Sequence, residues 1–330
     1  MKEKILITGA NGFIGLFLIT ESLKRGLDVY AGVRKNSDIT SLESLGVNII
    51  ILDYNDADNL TNIFVKYKFE YVIHNAGMTK SPSLDQLTAV NKGLLVHLLH
   101  AIEQARYQPK KLVYMSSLAS YGPAEFHKNG IITDESTPHP VTKYGQSKLA
   151  AEQYLQSQSI VPYHIIRPTA VYGPGEKDLF NVFKMINNYL DVQPALLGQK
   201  LTFIYVKDLA KLVVTAALSP QRNTSYFATD GNVYTGTALS GFIKEYLKKR
   251  TLSIKLPIFM MKGLAFITEK VAGIWGNYPI FNMDKVNEFK ASSWNCDISN
   301  LSTDLNFKAE YDLTTGIPET IVWYKENKWL

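Results

Sequence analysis

Two side chains set four residues apart raise the question of chemistry: Tyr144 and Lys148, in the stretch Tyr144-Gly-Gln-Ser-Lys148. The stretch opens a helical pattern that runs to about Gln158. Residues four apart on a helix share a face, one turn above the other, so the phenol and the ammonium point the same way. A free tyrosine titrates near pH ~10, and a neighbouring positive charge favours its phenolate. Such a pair can pass a proton near neutral pH. The same spacing also occurs as plain surface decoration, so the pair needs a cofactor and a substrate site around it.

A cofactor site is written at the other end of the chain. Thr8-Gly9-Ala10-Asn11-Gly12-Phe13-Ile14-Gly15 follows an apolar β-branched run and opens a helical one. In that setting Gly9 permits a tight turn, Gly12 lets the backbone approach a pyrophosphate, and Gly15 lets helix and strand pack closely. Asn11, Phe13 and Ile14 complete the loop, and the helix N-terminus offers free N–H groups to the phosphates. After the second strand the chain reads Tyr30-Ala-Gly-Val-Arg34-Lys35, with no acid before Asp38. An acid there would accept bonds from a ribose 2′-hydroxyl. The guanidinium of Arg34 instead suits a 2′-phosphate, so the expected cofactor is NADP, with NAD as the alternative.

The elements that must position these groups are legible as an alternation. Strands are expected at Lys4–Thr8, Asp28–Val33, Val47–Leu52, Tyr71–His74, Lys111–Met115 and Tyr163–Arg167. Helical patterns lie between them, among them Phe13–Arg25 and one long helix from Leu84 to Arg106. This is the signature of a parallel sheet covered on both faces. After Pro168 a helix is expected over Leu179–Leu190, then a return to the sheet through Leu201–Val206 and a helix from Lys207 to Leu218. The expected organisation is a cofactor-binding domain of residues 1–168 joined by 199–225. A smaller mixed α/β substrate-binding cap takes 169–198 and 226–330.

Composition narrows the function classes. The 330 residues are ordinary for a globular chain, and the single cysteine, Cys296, excludes an internal disulfide and a multi-cysteine metal site. No metal site is expected. The N-terminal residues lack a signal-peptide pattern, so a cytoplasmic protein is expected. The net charge of +5 is read as spread along the chain, and no basic stripe interleaved with aromatics speaks for nucleic acid. Ile254 to Met283 is strongly apolar, but Lys255, Pro257, Lys262, Glu269 and Lys270 interrupt it. No run reaches the ~20 residues that span a bilayer.

Taken together, the glycine loop, the Tyr144/Lys148 pair and several further segments resemble the extended short-chain dehydrogenase/reductase family, which includes the NAD(P)-dependent epimerases and dehydratases. Asp53 matches the family's adenine-contacting acid, His74-Asn75-Ala76-Gly77 the loop along the cofactor, and Asn91 the asparagine behind it. Leu112-Val-Tyr-Met-Ser-Ser117-Leu-Ala-Ser-Tyr121-Gly122 matches the strand that delivers the catalytic serine, with Ser117 at the corresponding position. Ile166-Arg-Pro168 to Tyr172-Gly-Pro-Gly175 and Ile204-Tyr-Val-Lys-Asp208 match further segments. The resemblance implies a Rossmann-type doubly wound sheet and a Ser117, Tyr144, Lys148 triad. Tyr144 would transfer the proton, Lys148 would keep its pKa low and bind the nicotinamide ribose, and Ser117 would hydrogen-bond the substrate oxygen. It also implies a homodimer packed through Leu84–Arg106 and Thr142–Gln158.

Two departures bear on the substrate. Nucleotide-sugar members of the family usually carry an asparagine where this chain has Ala170, and an arginine on the stretch that here reads Leu201-Thr-Phe203-Ile-Tyr-Val. Lys200 or Lys207 could compensate. The apolar stretch with Leu256-Pro-Ile-Phe-Met-Met261, Phe266, Ile274-Trp275, Tyr278 and Phe281 offers apolar pocket walls, the cap's own core or a subunit interface. With Arg34, that cap and the tail residues Trp294, Phe307 and Trp323-Tyr324, the pattern resembles the dihydroflavonol-reductase and 3β-hydroxysteroid-dehydrogenase branch. Reversible carbonyl/alcohol chemistry on a fairly apolar small molecule is therefore expected. The alternatives are a nucleotide-sugar epimerase or dehydratase with tightly bound NAD, and a non-catalytic NADP(H)-binding sensor.

Overall fold

The computed structural model describes residues 2–196, 198–274 and 278–330, with the side chain of Ile274 excepted. The first half runs β1 (Lys4–Thr8), α1 (Phe13–Lys24), β2 (Asp28–Val33), α2 (Thr40–Glu43), β3 (Asn48–Ile51), α3 (Ala57–Tyr67), β4 (Tyr71–His74), α4 (Leu84–Asn91), α5 (Gly93–Gln104), β5 (Lys111–Met115), α6 (Lys143–Gln158) and β6 (Tyr163–Pro168). The second half runs β7 (Ala170–Tyr172), α7 (Phe180–Asn187), β8 (Leu190–Pro194), β9 (Lys200–Leu201), β10 (Phe203–Tyr205), α8 (Val206–Leu218), β11 (Thr224–Ala228), β12 (Tyr234–Thr235), α9 (Ala238–Leu247), β13 (Leu252–Leu256), α10 (Ile258–Ile274), α11 (Met283–Lys290), α12 (Ser299–Leu305) and α13 (Leu313–Glu326).

Seven parallel strands in the order β11-β6-β5-β4-β1-β2-β3 form the central sheet. Its strands read as nearly continuous apolar runs because both faces are covered, and the two-residue side-chain period sorts neighbours to opposite cores. Ile5, Ile7, Val113, Met115 and Ile166 pack with α1 and α8, whereas Leu6, Leu112, Tyr114 and Ile165 pack with α3, α5 and α6. The strand order reverses between β1 and β4, so a crevice opens beyond their carboxyl ends, where such sheets bind ligands.

Several expectations are corrected. The long helix is two, with a break at Lys92 where the Asn91 carbonyl accepts from the Tyr114 hydroxyl at 3.3 Å. Helix α7 ends at Asn187, and Leu190 begins a strand that pairs with β13. β10 does not rejoin the central sheet but pairs with β7; the strand that rejoins it is β11, which runs past residue 225 to Ala228. Within the tail, Leu301, Leu305 and Phe307 return to the sheet's core. The cap's own core is built by Tyr172, Phe183, Phe203, Tyr205, Leu239 and Tyr324 with α13.

Candidate active site

The glycine loop sits at the carboxyl end of β1. Gly9 has φ +63° and its α-carbon lies against Ala76, where a Cβ would come to 2.9 Å of backbone; a Cβ on Gly15 would lie 2.4 Å from the Gly9 carbonyl. Such contacts allow no side chain, so this tight loop requires these residues. Helix α1 starts at Phe13 with no side-chain cap and no acid in its first turn, and Asn11 and Gly12 are exposed before it. The first N–H groups therefore remain available to an anion. Phe13 packs edge-on against Phe17, and Ile14 packs on the core below. A cradle with this shape and polarity fits a pyrophosphate.

The loop after β4 closes the other side. Asn75 Nδ2 donates to the Gly9 carbonyl at 3.3 Å, and the Ala76 N–H donates to Thr8 Oγ1 at 3.0 Å. Asn91 holds the next residues by a pair of bonds to the Met78 backbone, 2.8 and 2.9 Å, and donates to Ser147 on α6 at 2.8 Å. Asn91 thus ties the cofactor-side loop to the helix that carries Tyr144. Gly77 lies exposed between them.

Arg34 is exposed one residue past β2. The next acid, Asp38, is engaged by Thr40, accepting from its N–H at 3.0 Å and its hydroxyl at 2.7 Å. Asp38 itself is exposed, and Thr40 occupies only its Oδ1. Asp53 stands exposed after β3, accepting from the Asn55 N–H at 2.9 Å.

Helix α6 brings Tyr144 and Lys148 to the same crevice. Thr142 caps it, accepting from the Gly145 N–H at 3.0 Å, and Asp284 of α11 accepts from the Lys143 N–H at 3.0 Å. A Cβ at Gly145 would lie 2.2 Å from the Ala119 carbonyl, so this glycine lets α6 press against the turn carrying Ser117. Tyr144 is half-buried, and Lys148 is buried with Nζ 2.7 Å from the Met115 carbonyl and 4.9 Å above the Tyr114 ring. Ser117 faces partly into the open, whereas its neighbour Ser116 is buried.

The electrostatics correct one expectation. Burial raises the Tyr144 phenol to about 12, with the Ser117 hydroxyl pulling partly back and Glu288 pushing further up. Burial likewise lowers the Lys148 ammonium to about 8, against the pull of Glu152. The expected depression of Tyr144 by Lys148 is absent: the ammonium sits 5.9 Å from the Tyr144 ring centroid and is turned to a carbonyl. Desolvation outweighs so distant a charge.

One group escaped the sequence reading. Glu152, one further turn along α6, is buried and bonds Arg167 through Nε at 3.0 Å and Nη2 at 2.9 Å. Its other oxygen accepts from Ser120 at 2.8 Å and, closely, from Ser116. The hydroxyls on both sides of Ser117 are thus fastened to the helix of Tyr144 and Lys148. The Ile166-Arg-Pro168 segment marked Arg167, but nothing in the spacing pairs it with Glu152.

The cap meets expectation in one place and departs in another. Ala170 and Phe203 are direct partners across the β7–β10 pair, with Leu201 two residues earlier. The positions expected to lack a diphosphate clamp therefore lie together. Lys207 is committed to an ion pair with Glu319. The apolar stretch is not a pocket wall throughout. Leu256, Ile258, Met261, Phe281 and Met283 form a small core with α11, while Phe259, Met260 and Phe266 are exposed. Trp275 lies outside the described residues.

A model of the NAD dependent epimerase/dehydratase family matches residues 5–228, ending where β11 ends. The chain belongs to this family. Its members among the relatives are enzymes of oxidoreductase type. The ceramide reductase of Caulobacter vibrioides is 22% identical over 99% of this chain and 96% of its own length. The dTDP-D-glucose 4,6-dehydratase of Dictyostelium discoideum is 29% identical over 99% of this chain and 83% of its own. Among solved structures, the UDP-glucose 4-epimerase of Thermotoga maritima superposes with a TM-score of 0.79 at 17% identity, covering 98% of this chain and 99% of that one, and shows the shared fold.

Proposed function

We propose that this chain is an NADP(H)-dependent oxidoreductase of the epimerase/dehydratase family. It would interconvert a ketone and a secondary alcohol on a fairly apolar small molecule. The observation that carries the substrate class is the β7–β10 pair, which sets Ala170 against Phe203 where nucleotide-sugar relatives are expected to place polar and cationic groups. A diphosphate without charged partners there would bind poorly. Arg34, exposed one residue past β2 with no acid before Asp38, supports a 2′-phosphate on the cofactor. The ceramide reductase shows that a relative bears the name of an apolar substrate.

Bound cofactor would supply or accept the hydride, and the protein's residues would manage the oxygen. In reduction the carbonyl oxygen gains charge as the hydride arrives, and Tyr144 gives it the phenolic proton. A phenol raised to about 12 is held protonated for that step. Ser117 would donate a hydrogen bond to the same oxygen, and Lys148 would hold the nicotinamide ribose. In oxidation the proton returns along the same path.

The dehydratase relative favours a second reading, a nucleotide-sugar epimerase or dehydratase retaining NAD. An NADPH-oxidation screen over ketones, aldehydes, steroids and nucleotide sugars, with Tyr144→Phe as the blank, separates the two. The expected result is ketone reduction that Tyr144→Phe lowers by about 10²–10⁴-fold while NADPH binding persists. Turnover of a UDP- or dTDP-sugar with NAD carried through purification would replace the first reading with the second. Undiminished activity in Tyr144→Phe would remove the tyrosine from both.

A further inference from the structure

The net charge is not spread as the sequence reading had it. Residues 248–274 hold Lys248, Lys249, Arg250, Lys255, Lys262 and Lys270 against one acid, Glu269. That excess of five equals the excess of the entire chain, whose other 29 basic and 29 acidic side chains cancel. The single acid is also turned inward: Glu269 accepts from the Met283 N–H at 2.8 Å and from the Tyr278 hydroxyl at 3.1 Å.

The same segment bares apolar side chains. Helix α10 buries a stripe, Met261 and Ala265, against Val286 of α11. Its opposite side is apolar as well and uncovered: Phe259 is 74% exposed, Phe266 and Ile267 58%, with Met260, Leu264 and Val271 beside them. A helix apolar on nearly all sides is ordinarily buried on all sides. Contiguous bare patches of this kind mark surfaces that meet something apolar. Phenylalanine, leucine and isoleucine framed by lysines match a helix lying in the headgroup plane of a membrane, its apolar face in the acyl boundary. No helix among the described residues is long and apolar enough to cross a membrane, so the contact would be to its surface.

We propose that the exposed face of α10, with the basic residues around it, seats this protein on an anionic lipid bilayer. Helix α10 packs on α11, whose Asp284 holds the start of α6 and whose Glu288 acts on Tyr144. Docking here therefore sets the bilayer one helix layer from the proton-transfer residues. That placement suits the apolar substrate proposed above, but the docking itself does not rest on that reading.

Co-sedimentation of the full chain with vesicles tests it, comparing pure phosphatidylcholine with equal parts phosphatidylcholine and phosphatidylglycerol. Binding is expected to the anionic vesicles, weakly to the neutral ones, and to weaken with salt. Phe259→Ser with Phe266→Ser should abolish it. Lys255→Ala with Lys262→Ala should weaken it on the order of twentyfold, since each cation near such a surface contributes about fivefold. NADPH affinity and circular dichroism should be unchanged in both. Three results would overturn the proposal: no sedimentation with anionic vesicles at low salt, wild-type binding by both variants, or a concentration-dependent dimer that the phenylalanine substitutions dissolve. Should the phenylalanine variant fail to fold, the lysine variant decides alone.

Discussion

In the sheet half, Arg167 and Glu152 are both buried almost completely, yet each of their polar side-chain atoms except Arg167 Nη1 is hydrogen-bonded. In the cap, the lysines around α10 stand in solvent beside bare phenylalanines. The contrast teaches what each half does for the other. A buried, paired charge is costly to desolvate and gives little net stability, but it tolerates only one geometry. An exposed cation beside apolar surface commits to nothing until a partner arrives. The first half holds Glu152 and Arg167 in one arrangement; the second leaves a face of α10 uncovered.

The largest test of that contrast removes one partner of the buried pair. Glu152→Ala should destabilise the protein by about 3–5 kcal/mol in denaturant unfolding, because the buried Arg167 loses its two hydrogen bonds and keeps only the half-exposed Asp134, 3.7 Å from Nη1, as a countercharge. The cap substitution Phe266→Ser should stay within about 0.5 kcal/mol. Equal costs in the two variants would erase the distinction.

A smaller effect compares exposed cations. Arg34→Ala should weaken NADPH about ten- to hundredfold by isothermal titration, the worth of charge-assisted bonds to a phosphate, and leave NADH unmoved. Lys200→Ala in the cap should change neither. A reversed preference, NADH tighter than NADPH in the wild type, would undo the assignment of Arg34.

A pH effect is set by histidines, all six of which lie at or before residue 164. Burial lowers His74 to about 3 and His164 to about 4, with the positive charges of Lys148 and Lys111 adding to it. The unfolded chain therefore takes up protons first as the pH falls, and stability is lost from about pH 6.5 down towards those values. Each histidine should contribute about 1.4 kcal/mol per pH unit through that window. Hydrogen exchange at pH 5.5 should show β4 and β6 loosening before α13. Simultaneous loss in both halves would show that the cap follows the sheet.

These same residues explain what the sequence could and could not tell. The glycine loop was legible because turn chemistry and its setting between strand and helix are local, and so was the Tyr144/Lys148 spacing. Glu152 was not, because its meaning depends on Arg167 arriving from β6 after the chain has folded. The break at Lys92 was hidden by a helical pattern that continues across it; only Tyr114, from β5, reveals where the Asn91 carbonyl goes. For the apolar run at Ile254 to Met283 the sequence leaves pocket wall, cap core and subunit interface open. Periodicity marks which residues share a face but not whether anything covers it, so the open side of α10 could not be told from a buried one.

Helix α6 has a consequence for how this chain can change. Tyr144, Lys148 and Glu152 are three rungs at four-residue steps on one shaft, and Gly145 presses that shaft against the Ser117 turn. One inserted residue between Tyr144 and Glu152 would swing a rung by about 100°, unhooking either the phenol from the crevice or the carboxylate from both serines. The segment from 143 to 152 is thus a fixed-length gauge. The connections around it can lengthen or shorten, and strands β7 and β10 can be rewritten residue by residue, without disturbing its count.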